Sequence, residues 1–197
     1  MGDLKVGQFL SLTGTGNTRT ALFRANDGVT FTPTIDSPTV KINPGSFSDF
    51  AGNVGTVGST VALPNLKIDT QGSTVTGVVI SGVLQSGAEV QEGTLVEGDK
   101  VRVTVTMNEV TQVIGTPFFN VNVGNAVRTA SYVRGSGTNA LVFEYTLAVG
   151  DSDRSGGITA DAKSLQLGTG RIIDNYDNTS FIDTPAIADG TNKLEVV

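Results

Sequence analysis

The chain contains no cysteine, no histidine and no tryptophan. Without cysteine there is no disulfide, no thiolate nucleophile and no cysteine-based zinc site. Without histidine the usual general base and the commonest transition-metal ligand are missing. No Ser/Lys or metal-ligand signature replaces them, so no turnover on glycosides, esters or peptides is expected. Aromatic residues make up only 6%, so any core is thin and built from Val, Leu, Ile and Phe. No apolar run approaches the roughly 18 residues needed to span a bilayer, and no membrane insertion is expected. Met1-Gly2-Asp3-Leu4-Lys5 lacks the basic region and apolar stretch of a secretory signal. Basic residues are also scarce: 13 Lys and Arg stand against 19 Asp and Glu, a net charge of −6. That balance argues against a nucleic-acid partner and suits hard cations.

What the chain does have is glycine, threonine and valine in short alternating runs. With 25 Gly and 6 Pro spread along 197 residues, many short strands and turns are expected. Over 100–108, Val101, Val103, Val105 and Met107 point one way and Arg102, Thr104, Thr106 and Asn108 the other. Phe119, Val121 and Val123 repeat the pattern, as do Leu141, Phe143, Tyr145 and Leu147. Residues 127–133 read as a strand joined to 141–147 by a glycine-rich hairpin. Residues 158–167 fit either a helical turn or a strand. Strands about every ten residues, read as antiparallel throughout, describe an all-β protein of sandwich type.

A turn-and-acid pattern occurs twice. Gly14-Thr15-Gly16, Asp49-Phe50-Ala51-Gly52-Asn53 and Ile68-Asp69 are followed in the same order by Gly135-Ser136-Gly137, Asp174-Asn175-Tyr176-Asp177-Asn178 and Leu194-Glu195. The offsets are 121, 125 and 126 residues, which is a repeat of domain size. Residues 1–71 therefore read as a partial or short module and 72–197 as a complete one, joined by a short link. Strands of the first module are expected at 9–12, 19–24, 29–34, 39–43 and 60–63. It lacks roughly 45 residues that the second has before its glycine-rich turn, so Phe9, Leu22, Phe31 and Val40 need cover. A chain cut from a longer protein, a naturally short module and strands donated by another chain all account for this. A short sandwich that still closes is the expectation.

Several acids are candidate calcium ligands. Asp151-Ser152-Asp153-Arg154-Ser155-Gly156 has oxygen side chains at positions 1, 3 and 5 and glycine at 6, like the first half of an EF-hand loop. The closing Glu is absent, since Ala162 stands there, so a polar hairpin loop and a calcium site both remain open. Asp69 on the linker, Asp99 at a strand start, and Asp174 or Asp177 in an end loop are expected to converge at one pole and bind Ca2+ at the junction. Other motifs read as ordinary structure. Gly14-Thr15-Gly16-Asn17-Thr18-Arg19 lacks the third Gly of a dinucleotide fingerprint and the Lys of a phosphate loop. Glu89 and Glu92, formally a glycosidase pair, read as solvated loop acids. Tyr132, Tyr145 and Tyr176 are candidates for a sugar or peptide pocket, with Tyr145 better placed in the core.

Gly45-Ser46-Phe47-Ser48-Asp49-Phe50-Ala51-Gly52-Asn53 with Asn65-Leu66-Lys67-Ile68-Asp69 resembles the closing half of the bacterial immunoglobulin-like repeats of large surface adhesins. Glu97-Gly98-Asp99-Lys100-Val101, Gly115-Thr116-Pro117, Tyr132-Val133-Arg134-Gly135-Ser136-Gly137 and Ala148-Val149-Gly150-Asp151 resemble a second version of the same repeats. The second version departs at Asp174-Asn175-Tyr176-Asp177-Asn178, where the family pattern has Ala-Gly-Asn. The resemblance implies tandem immunoglobulin-like sandwiches, exported by RTX-type (type I) secretion to the bacterial cell surface and stiffened by calcium. They would act as extenders in adhesion or biofilm formation, with neighbouring modules of the same polypeptide as partners. The alternatives are a recognition module that binds a host or surface glycan or protein through its end loops, and an accessory sandwich of a polysaccharide-degrading enzyme.

Overall fold

A computed structural model describes residues 7–25, 39–63, 68–154 and 156–197. The strand expected at 29–34, with Phe31, lies outside the described residues, as do 64–67 and Ser155. The chain divides into two compact units, Met1–Gln71 and Gly72–Val197. Every regular element among the described residues is a strand, and no helix is long and apolar enough to cross a membrane.

In the first unit β1 (Gly7–Thr13) and β2 (Thr20–Ala25) form one antiparallel hairpin, and β3 (Thr39–Ile42) and β4 (Ser59–Ala62) form another. The turn between β1 and β2 needs glycine. Gly14 (φ 113°) and Gly16 (φ 63°) sit in the left-handed region, and a Cβ on Gly14 would lie 2.6 Å from the Thr18 carbonyl oxygen. The two hairpins belong to separate sheets, and no described residue of this unit is buried. The closed short sandwich expected for 1–71 is not found in these residues. Two strands with one apolar face cannot exclude water from both sides.

The second unit is built around β8 (Lys100–Ile114). Its alternation places Val101, Val103, Val105 and Met107 in the core, each no more than 1% exposed. The other strands are β5 (Val75–Val83), β6 (Glu89–Val90), β7 (Glu92–Leu95), β9 (Phe118–Val123), β10 (Ala126–Arg134), β11 (Thr138–Thr146), β12 (Leu165–Gln166), β13 (Arg171–Asp174) and β14 (Lys193–Val196). Eight of the strands form one antiparallel sheet in the order β12–β9–β10–β11–β8–β5–β6, with β13 on the distal part of β8. The pair β7–β14 is separate, and its Leu95, Leu194 and Val196 join the same buried cluster as Val103, Phe119, Phe143 and Ile158. This layering is compatible with a β-sandwich.

One sequence reading needs correction, and one left open between a helical turn and a strand is decided. The strands are not all antiparallel: β14 runs parallel to β7, from Lys193 opposite Glu92 to Val196 opposite Leu95. A parallel pair requires a long crossover, and here β8 to β13 lie between the two strands in sequence. Residues 158–167 form no helix; Thr159 and Ala160 make isolated bridges to Asn122 and Ile187, followed by β12.

On the outer face of the sheet, Arg102 donates from Nε (2.9 Å) and Nη2 (2.6 Å) to Glu144 Oε1 and from Nη1 to Glu89 Oε2 at 2.6 Å. Lys100 Nζ reaches Glu144 Oε2 at 2.9 Å. Glu89 thus lies on a strand and is paired with Arg102, while its side chain remains exposed. The Ser81 hydroxyl first, opposed by partial burial, and then Arg102 hold its carboxyl below the usual range. That shift is opposite to what a general acid requires.

Candidate metal centre

Asp174 ends β13, and its side chain organises the loop that follows. Oδ1 accepts the backbone N–H groups of Tyr176 (2.7 Å) and Asn178 (2.9 Å), and Oδ2 accepts the Asn178 side-chain amide at 2.8 Å. The Asp174 N–H donates to the Asn178 carbonyl at 3.0 Å, and Ile173 bridges Thr179. A short carboxylate side chain satisfies neighbouring amides in this way and so closes a tight loop.

The first unit contains the same device. Asp49 Oδ1 accepts the Asn53 N–H and Oδ2 the Asn53 side-chain amide, both at 2.8 Å, and Ser48 bridges Val54. The Asp49 N–H again donates to the Asn53 carbonyl at 3.0 Å. At the fourth position of the loop stand Gly52 (φ 88°) and Asp177 (φ 65°). Aspartate is one of the few side chains found in that left-handed region, so the second loop keeps the geometry while lacking Ala-Gly-Asn. Asp177→Gly is expected to leave stability within about 1 kcal/mol of the parent, or to raise it, whereas Asp177→Val lowers it by about 1–2 kcal/mol. Urea unfolding of both variants checks this, and a glycine variant weaker than the valine one contradicts it.

The two loops differ in environment. Asp49 is exposed, and its carboxyl is held below the usual range by the Asn53 side chain first and the Asn53 N–H next. Its contribution is therefore present above the ordinary aspartate pKa and is lost as pH falls through the lowered value. Asp174 is only 1% exposed. A carboxylate oxygen of Glu109 on β8 lies within 4.8 Å of one on Asp174. The register explains the approach: Asp174 pairs with Thr111, and Glu109 is two residues from Thr111 on the same face of β8. Asp174 accepts three hydrogen bonds out of about four lone-pair sites, which leaves capacity on Oδ2 for a cation. Two carboxylates in this setting match the oxygen chemistry of a hard divalent ion.

Glu109 is absent from the sequence-derived candidates because the alternation that marks β8 is clear only as far as Asn108. The strand continues to Ile114 through a register shift in its pairing with β11, and the shift hides the periodicity.

The other acids occupy different places. Asp99 is 4% exposed; its Oδ1 accepts the Gln85 N–H (2.9 Å) and its Oδ2 the Val96 N–H (2.8 Å). It precedes β8, whereas Asp174 pairs near the far end, a separation of roughly 40 Å along an extended strand. The expected convergence of Asp99 on Asp174 is therefore not found. Asp151 is 7% exposed and holds a cation of the protein's own. Its Oδ1 accepts Arg128 Nε at 2.6 Å, and its Oδ2 accepts the Tyr145 hydroxyl (2.7 Å) and the Ala148 N–H (2.9 Å). Asp151 is thus already paired with a guanidinium, which accounts for its burial without a metal. Asp153 Oδ2 accepts the Gly124 N–H at 2.9 Å, and its backbone bridges Val196. It also lines a polar cleft of about 400 Å³ with Asn125, Arg154, Thr159 and Asp189. Asp177 is exposed. Asp69 belongs to the first unit, where its Oδ1 accepts the Gln71 N–H at 3.0 Å. Of the tyrosines, Tyr132 and Tyr145 pack against the core and Tyr176 is 46% exposed.

No protein family, curated protein or solved structure matched this chain.

Proposed function

We propose that this chain is a non-enzymatic pair of immunoglobulin-like modules from a bacterial surface adhesin, working as an extracellular spacer stiffened by calcium. The observation that carries the reading is the loop repeat. The Asp49–Asn53 and Asp174–Asn178 hydrogen bonds recur 125 residues apart with the same donors and acceptors. Two copies of one module part in one chain are the mark of an array, and arrays of small sandwiches serve as extended structures.

Support for calcium comes from the Asp174 loop. Residues 72–74, where the chain enters the second unit, are held against that loop's exit: Ser73 Oγ and Ser180 Oγ are 2.6 Å apart, and Thr74 bridges Phe181. Gly72 is required there, because a Cβ would collide with the Thr179 carbonyl. A divalent ion on Asp174 and Glu109 would neutralise two close carboxylates and stiffen the loop that clamps the incoming chain.

Thermal unfolding with calcium and with chelator tests this reading. At calcium a hundredfold above Kd the expected gain is about 2.7 kcal/mol. Glu109→Gln should weaken binding by about tenfold or more while leaving the apo protein folded. It is the cleaner probe, since Asp174→Asn puts an amide donor in place of one of two carboxylate oxygens that both accept from N–H groups. Asp69→Asn asks separately whether the linker carboxylate expected from the sequence takes part. Identical melting curves with calcium and chelator would sink the calcium reading. A recognition role has one specific observation in its favour, the polar cleft at Asp153 and Asp189. Saturable binding of an oligosaccharide that Asp189→Ala abolishes would favour it.

A further inference from the structure

Among the described residues four carboxylates are buried, those of Asp99, Asp151, Asp153 and Asp174. Three of them have both oxygens engaged by donors. Asp153 is 7% exposed, as Asp151 is, yet only its Oδ2 has a donor, the Gly124 N–H at 2.9 Å. Its Oδ1 meets neither a donor nor a cation among the described residues, and it is open to solvent. Asp153 lines the polar cleft of about 400 Å³. Aspartate is seldom buried without a partner for its charge. Asp151, two residues earlier, has Arg128; Asp153 has the burial without the cation.

Three segments of the second unit fix the cleft. Gly124 and Asn125 make the turn between β9 and β10. Asp153 is tied to Val196 by N–H to carbonyl bonds in both directions (2.9 and 2.7 Å), and Thr159 to Asn122 likewise (3.1 and 2.8 Å). The turn at Asp189 is held by the Gly190 N–H on the Gly156 carbonyl. Gly156 has φ 86°, and a Cβ there would lie 2.5 Å from the Asp189 carboxylate, so only glycine lets that acid close in. Asp189 is exposed, with no hydrogen bond or ion pair on its carboxylate among the described residues. Asn125, Ser152 and Thr159 add neutral polar groups, and Arg154 is the one cation among the described lining residues. No aromatic or aliphatic side chain is among them.

We propose that this cleft binds a guanidinium group, the arginine side chain of a partner polypeptide, with the carboxylates of Asp153 and Asp189 as acceptors. Guanidinium offers five donors in a planar fork and no acceptor, and it pairs with carboxylates through parallel hydrogen bonds. Two carboxylates against Arg154 leave the cleft one negative charge. Calcium gathers about six to eight oxygens, and no third acidic side chain joins Asp153 and Asp189 among the described residues. A neutral sugar leaves the buried charge unmatched and finds no apolar surface for its ring. One charge-assisted contact in an open polar cleft holds a small free cation weakly, so the group is expected on a polypeptide whose neighbouring residues add contact. Arginine capture makes the cleft a recognition site, the second reading given above, and needs no calcium at Asp174.

Backbone amide shifts of the full chain, followed at Gly124 and Gly157, test this with a blocked Gly-Arg-Gly tripeptide as the probe. The expected result is saturable binding in the millimolar range. It should weaken as salt is raised and vanish when citrulline, neutral and of similar shape, replaces arginine. Asp153→Asn and Asp189→Asn should each raise Kd by about tenfold or more. Asp189 is exposed and bears no structural hydrogen bond, so its variant separates lost binding from lost folding. Arg154→Gln should lower Kd by about twofold or more, because a like charge leaves the cleft. Absence of any shift with the arginine peptide overturns the proposal, and so does a lysine peptide that binds as tightly. Tighter binding of free arginine would mark an amino-acid site, and weaker binding in Arg154→Gln an anionic ligand; both overturn it. Calcium shifts at the same amides that Asp153→Asn removes would mark a metal site and overturn it too. Shifts with an oligosaccharide alone overturn the guanidinium and leave the recognition role standing, whereas no shift with either probe removes both.

Discussion

Truncating Phe143 to alanine will lower the stability of the second unit by about 3–5 kcal/mol, the largest effect expected from any single core change. Phe143 is fully buried on β11, opposite Val103 of β8, with ring centroids 6.1 Å from Phe119 and 5.7 Å from Tyr132. The three rings belong to a core otherwise made mostly of Val, Leu and Ile, with Met107, Ala130 and Ala160. Loss of one ring removes transfer energy and leaves a cavity that strands tied on both edges cannot collapse to fill. β11 is paired with both β10 and β8, so little relaxation is available. Denaturant unfolding followed by a probe in the second unit measures the effect, and a loss below about 1 kcal/mol would show that this cluster is not the centre of the core.

The second large effect is at Asp151. Asp151→Ala is expected to lower stability by about 2–3 kcal/mol, below the full value for a buried ion pair because the Arg128 side chain is 35% exposed. The variant removes the acceptor for three donors at once, leaving the Ala148 N–H and the Tyr145 hydroxyl without their partner. The pH dependence separates this role from simple packing. Burial pushes the Asp151 carboxyl up, but the Ala148 N–H, the Tyr145 hydroxyl and Arg128 together outweigh it and hold the pKa below the usual value. A lowered folded pKa means that the stabilisation is present above the ordinary aspartate pKa of about 4 and disappears as pH falls through the lowered value. The gap between parent and Asp151→Asn should therefore be widest near neutrality and close in acid. Tyr145 is the mirror case: burial first, and then the Asp151 carboxylate, raise its pKa. Its share is complete below the ordinary tyrosine value of about 10 and is lost as pH rises through the raised one. A gap that stays constant from acid to neutral pH would show that Asp151 acts through shape alone.

The structure gives the acids of this protein three separate tasks. Asp99 and Asp151 satisfy amides and a guanidinium inside one unit and so hold turns in place. Asp49 and Asp174 close a loop that occurs twice. Asp174 combines burial with a second carboxylate oxygen within 4.8 Å, which is why the calcium reading rests on that position and not on the EF-hand-like run at Asp151. Spacing alone also made Asp151 and Asp153 candidates, because their positions relative to Gly156 imitate the first half of a calcium loop. Arg128 lies 23 residues away in sequence, and only the pairing of β9 with β10 and of β10 with β11 brings its guanidinium to Asp151.

Local sequence determined the strands of the second unit, since alternation in 100–107, 119–123 and 141–147 is itself the consequence of a pleated chain with one wet face. It also determined the glycine-rich turns and the repeated acid loop, because left-handed backbone and short carboxylate caps are properties of a few adjacent residues. Tertiary structure decided everything that depends on which strands meet. The parallel pairing of β14 with β7, the extension of β8 beyond Asn108, the meeting of Glu109 with Asp174 and the separation of Asp99 from Asp174 are all matters of register and crossover. So is the fate of the first unit. Its described residues form hairpins, none of them buried, because burial requires a second layer and covered edges that a hairpin by itself does not supply.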